Sequence, residues 1–287
     1  MSQSVPFDQT TELLIYIFLV LASFCMGLSA TLTDLANVLS DRSRMTKVLL
    51  ANVVVPPLVA VVIGLVFSLE PAAYTMLLLV AFAPGGINAV QFSTKVPGEM
   101  ATAGAILLLL SAVALVTAPI AASILLDAGD GFSAVPLGEV ATRAALLIVL
   151  PAGIGMWVRR STADVADKVY KPAMLISLFA FIGSVVLSTS LRQDGLAQFE
   201  AGTTAAFVLF LLVLMAVGWS FGGPGLEGRQ ILAVSTNLRN VGLVYVLAEG
   251  CCPGNGVAAA VMGLMAIMVL PNLVLTVGCA IWRRKKA

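Results

Sequence analysis

Nine apolar stretches, each about the length of a membrane-spanning helix, take up most of this chain of 287 residues and decide its solvent. They fall approximately at 13–33, 46–68, 72–94, 101–126, 140–158, 172–191, 203–221, 230–249 and 257–282. Sixty per cent of the residues are hydrophobic and 11% charged, and the mean hydropathy is +1.03. A soluble domain is roughly half apolar and needs a polar surface that this sequence does not contain. In lipid every backbone donor and acceptor must be paired within the protein, and among single-chain solutions helices satisfy that with stretches of this length. The expected fold class is therefore an all-α membrane protein of nine transmembrane helices.

The residue types present narrow the chemistry. The chain has no histidine, which removes the commonest general base and metal ligand together. No serine sits beside a base partner, and no acidic pair lies within an apolar stretch, so an intramembrane enzyme is disfavoured. A receptor would carry a soluble sensory or output domain, and no stretch reads as one. The net charge of +1 gives no reason to expect a nucleic acid partner. Cys25 and Cys279 lie in apolar runs and Cys251 and Cys252 are adjacent, a poor arrangement for a disulfide. Cys251-Cys252-Pro253-Gly254 reads as an outer turn. Residues 1–12 lack the basic start of a signal peptide, so the first apolar run is expected to remain as a membrane anchor.

Orientation follows from the basic residues. Under a nine-helix count Arg42, Arg44, Lys47, Lys95, Arg159, Arg160, Lys168, Lys171, Arg229, Arg283, Arg284, Lys285 and Lys286 all fall on one side, thirteen of the 16 Lys and Arg. The opposite loops carry Asp8, Glu12, Glu70, Asp127, Asp130, Asp194 and Glu200. The positive-inside rule then places the N-terminus outside and the C-terminus in the cytoplasm of an inner or plasma membrane. Removing or adding one helix would move the later basic clusters to the acidic side. Arg239 alone among the basic residues lies well inside a stretch.

Two stretches are broken near their centres. The third contains Ala83-Pro84-Gly85-Gly86-Ile87-Asn88, in which a proline removes a donor and two glycines loosen the backbone. The eighth contains the polar run Ser235-Thr236-Asn237-Leu238-Arg239-Asn240-Val241-Gly242. Irregular backbone at bilayer depth is tolerated against protein or a water-filled cavity. The breaks fall on the penultimate helices of two four-helix blocks, 13–126 and 172–282, separated by the helix at 140–158. The blocks enter the membrane from opposite sides, as in an inverted repeat, and paired breaks in such halves point to a transporter's midplane site. The whole chain, 1–287, is read as a single transmembrane transporter unit.

With Met26-Gly27-Leu28-Ser29, Ala83-Pro84-Gly85-Gly86 and Asn240-Val241-Gly242-Leu243, the chain resembles the bile acid:sodium symporter family and its wider superfamily over essentially its full length. The resemblance implies a panel domain and a core domain, with the two broken helices crossing at their unwound centres. It also implies ten helices in many members, of which the first is missing here. Sodium-coupled members are similar to one another in placing Ser and Asn after the Pro-Gly-Gly break, Ser and Thr on the next helix, and Glu and Gln in the second break. This chain has Ala89 and Val90, Ala103 and Leu107, and Ser235 and Arg239 there, so nearly every implied sodium ligand is missing. Na⁺ remains possible as a cofactor but is disfavoured, and no other metal is expected.

An arginine at the centre of a helix costs roughly 2.5–3.5 kcal/mol to insert and so faces a cavity or a partner. Arg239 reads in two ways: it binds the acidic group of a solute, helped by helix N-termini, or it ties down the carbonyl ends of the broken helices. Asn240 matches a family position near the substrate. Asn88 and Gln91 share a helical face after the first break. Ser235, Thr236 and Asn237 line the site or cap the half-helix that follows, and capping is the simpler role. Pro84, Gly85 and Gly86 are backbone devices. The chain is expected to carry a small organic anion by alternating access, sodium-independently, with Arg239 as a fixed cation. The alternative is a sodium-coupled symporter of bile-acid-like or other organic anions. Solute and lipid bilayer are the expected partners.

Overall fold

The computed structural model describes residues 9–86, 89, 92, 99–125, 137–191, 201–251 and 257–286. Every element among them is helical. In chain order they are α1 (Gln9–Ser29), α2 (Leu32–Ser40), α3 (Arg42–Val66), α4 (Pro71–Ala81) and α5 (Glu99–Leu125), followed by α6, which runs Leu137–Ala144, Ala145–Val149 and Leu150–Ser161. Then come α7 (Ala163–Leu191), α8 (Ala201–Phe221), α9 (Leu226–Asn237), α10 (Val241–Cys251) and α11 (Val257–Lys286). Eight spans among the described residues are long and apolar enough to cross a membrane, α9 and α10 together forming one of them. The shorter apolar α4 stands where the third span is expected.

Several boundaries differ from the sequence reading, those of the first and sixth spans for a clear local reason. The first span ends at Ser29 because Thr31 starts a separate helix, α2. Its hydroxyl accepts the N–H of Asp34 and the Asp34 carboxylate accepts the N–H of Thr31, a reciprocal cap that fixes the new start. The sixth span begins at Ala163 and carries Pro172 in its interior, because its charged first turns fall outside any apolar window. The helix of the ninth continues to Lys286.

Two helices contain a wide π turn immediately before proline. In α3 it spans Leu50–Val54, ahead of Pro56 and Pro57, and in α6 it spans Ala145–Val149, ahead of Pro151. Proline has no N–H to give the carbonyl one turn back, and a π turn absorbs the resulting misfit without ending the helix.

α1 packs along α7 and along Leu150–Ser161 of α6, whereas α8 packs along α9 and α10 against α11. Glycines set the closest of these approaches. A Cβ on Gly27 would lie 2.0 Å from the Ala152 carbonyl oxygen, one on Gly155 2.3 Å from that of Phe24, and one on Gly218 2.5 Å from that of Leu232. Small residues that bring backbones together are the usual device for joining helices in lipid, where hydrophobic burial supplies little drive. Leu58, Val62, Leu65 and Val66 on α3, and Leu270 and Val274 on α11, are exposed, as a lipid-facing surface requires. The broken span behaves differently, since residues 230–240 and 242–248 are buried without interruption.

Candidate functional site

The two breaks meet. α4 ends at Ala81, the chain passes through Ala83, Pro84, Gly85 and Gly86, and it crosses Leu238, Arg239 and Asn240, which separate α9 from α10. Gly86 donates its N–H to the Leu238 carbonyl at 2.9 Å, and Asn240 donates its N–H to the Ala83 carbonyl at 2.8 Å. Each unwound segment thus supplies what the other lost. Gly85 adopts φ +79°, a conformation that side chains rarely take. A Cβ on Gly85 would also press 2.7 Å from Leu110 Cβ, while Ser111 on α5 donates its hydroxyl to the Gly85 carbonyl at 3.1 Å.

Arg239 sits in the crossing and is wholly buried. Its guanidinium faces four main-chain carbonyls. Nε donates to Val80 at 3.1 Å, Nη2 to Ala81 at 2.7 Å and to Asn52 at 3.0 Å, and Nη1 to Thr236 at 3.4 Å. Each of these oxygens has a reason to lack a helical donor. The residue one turn beyond Val80 is Pro84, which has no N–H, and the 3.3 Å bond from Ala83 is a poor replacement. The N–H one turn beyond Ala81 belongs to Gly85, past the end of the helix. The N–H one turn beyond Thr236 belongs to Asn240 and goes to Ala83 instead. For Asn52 the α-helical donor would be residue 56 and the π-helical donor residue 57, and both are proline.

Charge agrees with geometry. α4 and α9 both point their C-terminal, partially negative ends at the crossing, each equivalent to roughly half an elementary charge. One guanidinium offsets both. Of the two sequence readings of Arg239, the tying of carbonyl ends is the one whose contacts the structure displays. Four of the five N–H groups are committed in this way.

The neighbouring polar side chains divide by role. Asn240 Oδ1 accepts the N–H of Leu243 at 3.1 Å and caps α10, while its Nδ2 is buried without a partner. The cap of the second half-helix is therefore Asn240, not Ser235, Thr236 or Asn237, which close the last turn of α9. Ser235 donates to Leu232 at 3.1 Å. Asn237 donates to the Leu211 carbonyl at 2.6 Å and accepts from Asn272 Nδ2 at 2.5 Å. Thr236 Oγ1 is buried without a partner. Asn88 and Gln91 lie outside the described residues, as do residues 252–256 of the expected outer turn. Ala89, Ala103 and Leu107, at implied sodium-ligand positions, are buried apolar side chains.

Sequence reasoning missed Asn52, Asn272 and Gln230, all fully buried. Asn52 folds its Nδ2 back to the Val48 carbonyl at 3.0 Å and leaves Oδ1 unpaired, and Asn272 Oδ1 is likewise unpaired. Gln230 donates to the Phe92 carbonyl at 3.0 Å, as does Thr276 at 2.7 Å, and Gln230 Oε1 accepts from Arg283, which also pairs with Glu227 at 3.3 Å. For Asn52 and Asn272 the signal was a lone amide inside an apolar run, beside proline for Asn272 and four residues before one for Asn52.

A family model described as the Sodium Bile acid symporter family matches residues 16–199, well over half of the chain and inclusive of the first break. No curated protein matches the chain.

Proposed function

The chain belongs to the Sodium Bile acid symporter family, a family of membrane transporters, and from that premise we propose that it carries a small organic anion by alternating access without coupling to sodium. The observation that carries the reading is the buried guanidinium of Arg239, which binds the carbonyl ends of the crossing helices. Carbonyl oxygens facing one another at the ends of two helices are ligands for a cation. Here the cation is part of the chain, cannot leave during the cycle, and would repel a second one beside it.

The solute is an anion because Arg239 cancels the two carbonyl ends, and the positive N-terminus of α10 then leaves the crossing electropositive beside that charge. Asn240 Nδ2 and Thr236 Oγ1, buried and unpartnered, are the side-chain donors nearest that charge along the chain. In this reading Arg239 acts on the solute by cancelling the carbonyl ends that would repel it, and Asn240, Thr236, Asn88 and Gln91 make contacts. The nine-helix count, the repeats at 13–126 and 172–282 and a cytoplasmic C-terminus belong to the same proposal, supported by the basic residues gathered on one side.

A sodium-coupled reading has its own support in the unpartnered oxygens of Asn52, Asn272 and Thr236. Uptake of labelled cholate, benzoate and pyruvate into proteoliposomes, with Na⁺ or choline outside, separates the two. Equal uptake of any of these anions in both media is expected. Uptake that requires Na⁺ would overturn sodium independence and leave the carrier function standing.

A further inference from the structure

Pro56 and Pro57 have no part in the apolar pattern of α3, yet they remove both N–H groups that could pair with the carbonyl of Asn52. That oxygen is buried at bilayer depth, where an unpaired carbonyl is costly. It is satisfied from another helix, by Arg239 Nη2 at 3.0 Å. The same nitrogen also serves Ala81 at 2.7 Å, so the Asn52 and Ala81 carbonyls together fix the direction in which one edge of the guanidinium points.

We propose that Pro56 and Pro57 are positioning residues for the fixed cation: by withholding both helical donors they keep the Asn52 carbonyl turned out of α3 and reserved for Arg239. The inference rests on the tethered-cation reading above and extends it to a third helix. Without the bond to Asn52, the guanidinium would be held only by α4 and by its own neighbour in α9, the two segments whose crossing it stabilises. With it, α3 becomes a fixed reference for the crossing. The π turn at Leu50–Val54 is the local distortion that makes this arm available.

Removing proline from the interior of a helix ordinarily stabilises it. If the prolines had only a local role, Pro56→Ala with Pro57→Ala would raise the thermal midpoint of the full-length protein whatever stands at 239. If they position the cation, the same pair lowers the midpoint when Arg239 is present, by on the order of 5 °C, because α3 reclaims its carbonyl and the guanidinium loses an arm. In an Arg239→Gln background the pair should instead raise the midpoint, since an orphaned carbonyl regains a donor. Arg239→Lys, which keeps the charge but not the fork, should give an intermediate response. A shift of the same sign in all three backgrounds would overturn the proposal. The underlying reading is judged separately, by whether Ser235→Glu together with Arg239→Gln makes the midpoint respond to NaCl over choline chloride; that outcome does not depend on the prolines.

Discussion

Gly86 and Leu238 are 152 positions apart in sequence, yet the N–H of the first donates to the carbonyl of the second at 2.9 Å, with no room for a side chain between them. A Cβ on Gly86 would stand 2.5 Å from the Leu238 oxygen, 2.7 Å from its carbon and 2.9 Å from the Arg239 oxygen. All three are backbone atoms and cannot swing aside. Gly86→Ala should therefore separate the two breaks and abolish uptake. Gly153→Ala is the control, since nothing lies within 4 Å of the added carbon and alanine favours the helix. Uptake assays on both variants at matched expression give the answer, and normal transport by Gly86→Ala would refute the close crossing.

Arg239 makes a second, energetic prediction. Arg239→Ala strands four buried carbonyls, and a buried acceptor left unsatisfied costs about 1–3 kcal/mol, part of which relaxation recovers. For a chain of this size that is a midpoint fall on the order of 10 °C. Arg239→Lys should lose less, because an ammonium still offers three donors but cannot span the same spread of oxygens. Differential scanning fluorimetry in detergent measures the order. Alanine and lysine variants of equal stability would mean that the carbonyl contacts contribute little.

How much of this was open to reading from the chain depends on which partner each residue has. The breaks were legible, because Pro84-Gly85-Gly86 acts through its own backbone and the polar run 235–242 stands out in an apolar stretch, although the cap is Asn240 and not the residues at 235–237. The contacts of Arg239 were not, because they join residues 52, 80, 81 and 239, and sequence spacing carries no information about which distant carbonyls meet. Even so, half of the reason was in view. Prolines at 56, 57 and 84 mark carbonyls that must look elsewhere for donors, and Arg239 is the one arginine deep in an apolar stretch. α3 was read as an unbroken span because its π turn keeps the helix continuous. α2 was missed because nine residues with two polar caps give no apolar window.

Asn240 separates capping from solute recognition. Its Oδ1 holds the start of α10 and its Nδ2 has no partner. Asn240→Asp keeps the acceptor, removes the donor and brings a negative charge toward the site. Asn240→Ala removes both functions and should cost about 1 kcal/mol of stability from the lost cap. The expected pattern is a near-normal midpoint with weakened anion uptake for the aspartate variant, and losses in both for alanine. Undiminished anion uptake by Asn240→Asp would remove Asn240 from the solute site.

The fixed-cation reading makes its strongest demand when the cation is removed and a carboxylate put in its place. Ser235 is buried, donates to the Leu232 carbonyl, and lies in the last turn of α9, four residues before Arg239. Ser235→Glu together with Arg239→Gln exchanges a tethered positive charge for a negative one beside the carbonyls of Val80, Ala81, Asn52 and Thr236. Those oxygens and the new carboxylate form the hard, oxygen-rich set that Na⁺ prefers, whereas Arg239→Gln alone leaves the oxygens without a charge to draw the ion in. The double variant should therefore be stabilised by NaCl relative to choline chloride, and any uptake it retains should follow the sodium gradient. The wild type should be indifferent to the exchange. If the double variant is equally indifferent while remaining folded, the Arg239 guanidinium does not stand in for a mobile cation, and the carbonyl cluster has only a structural role.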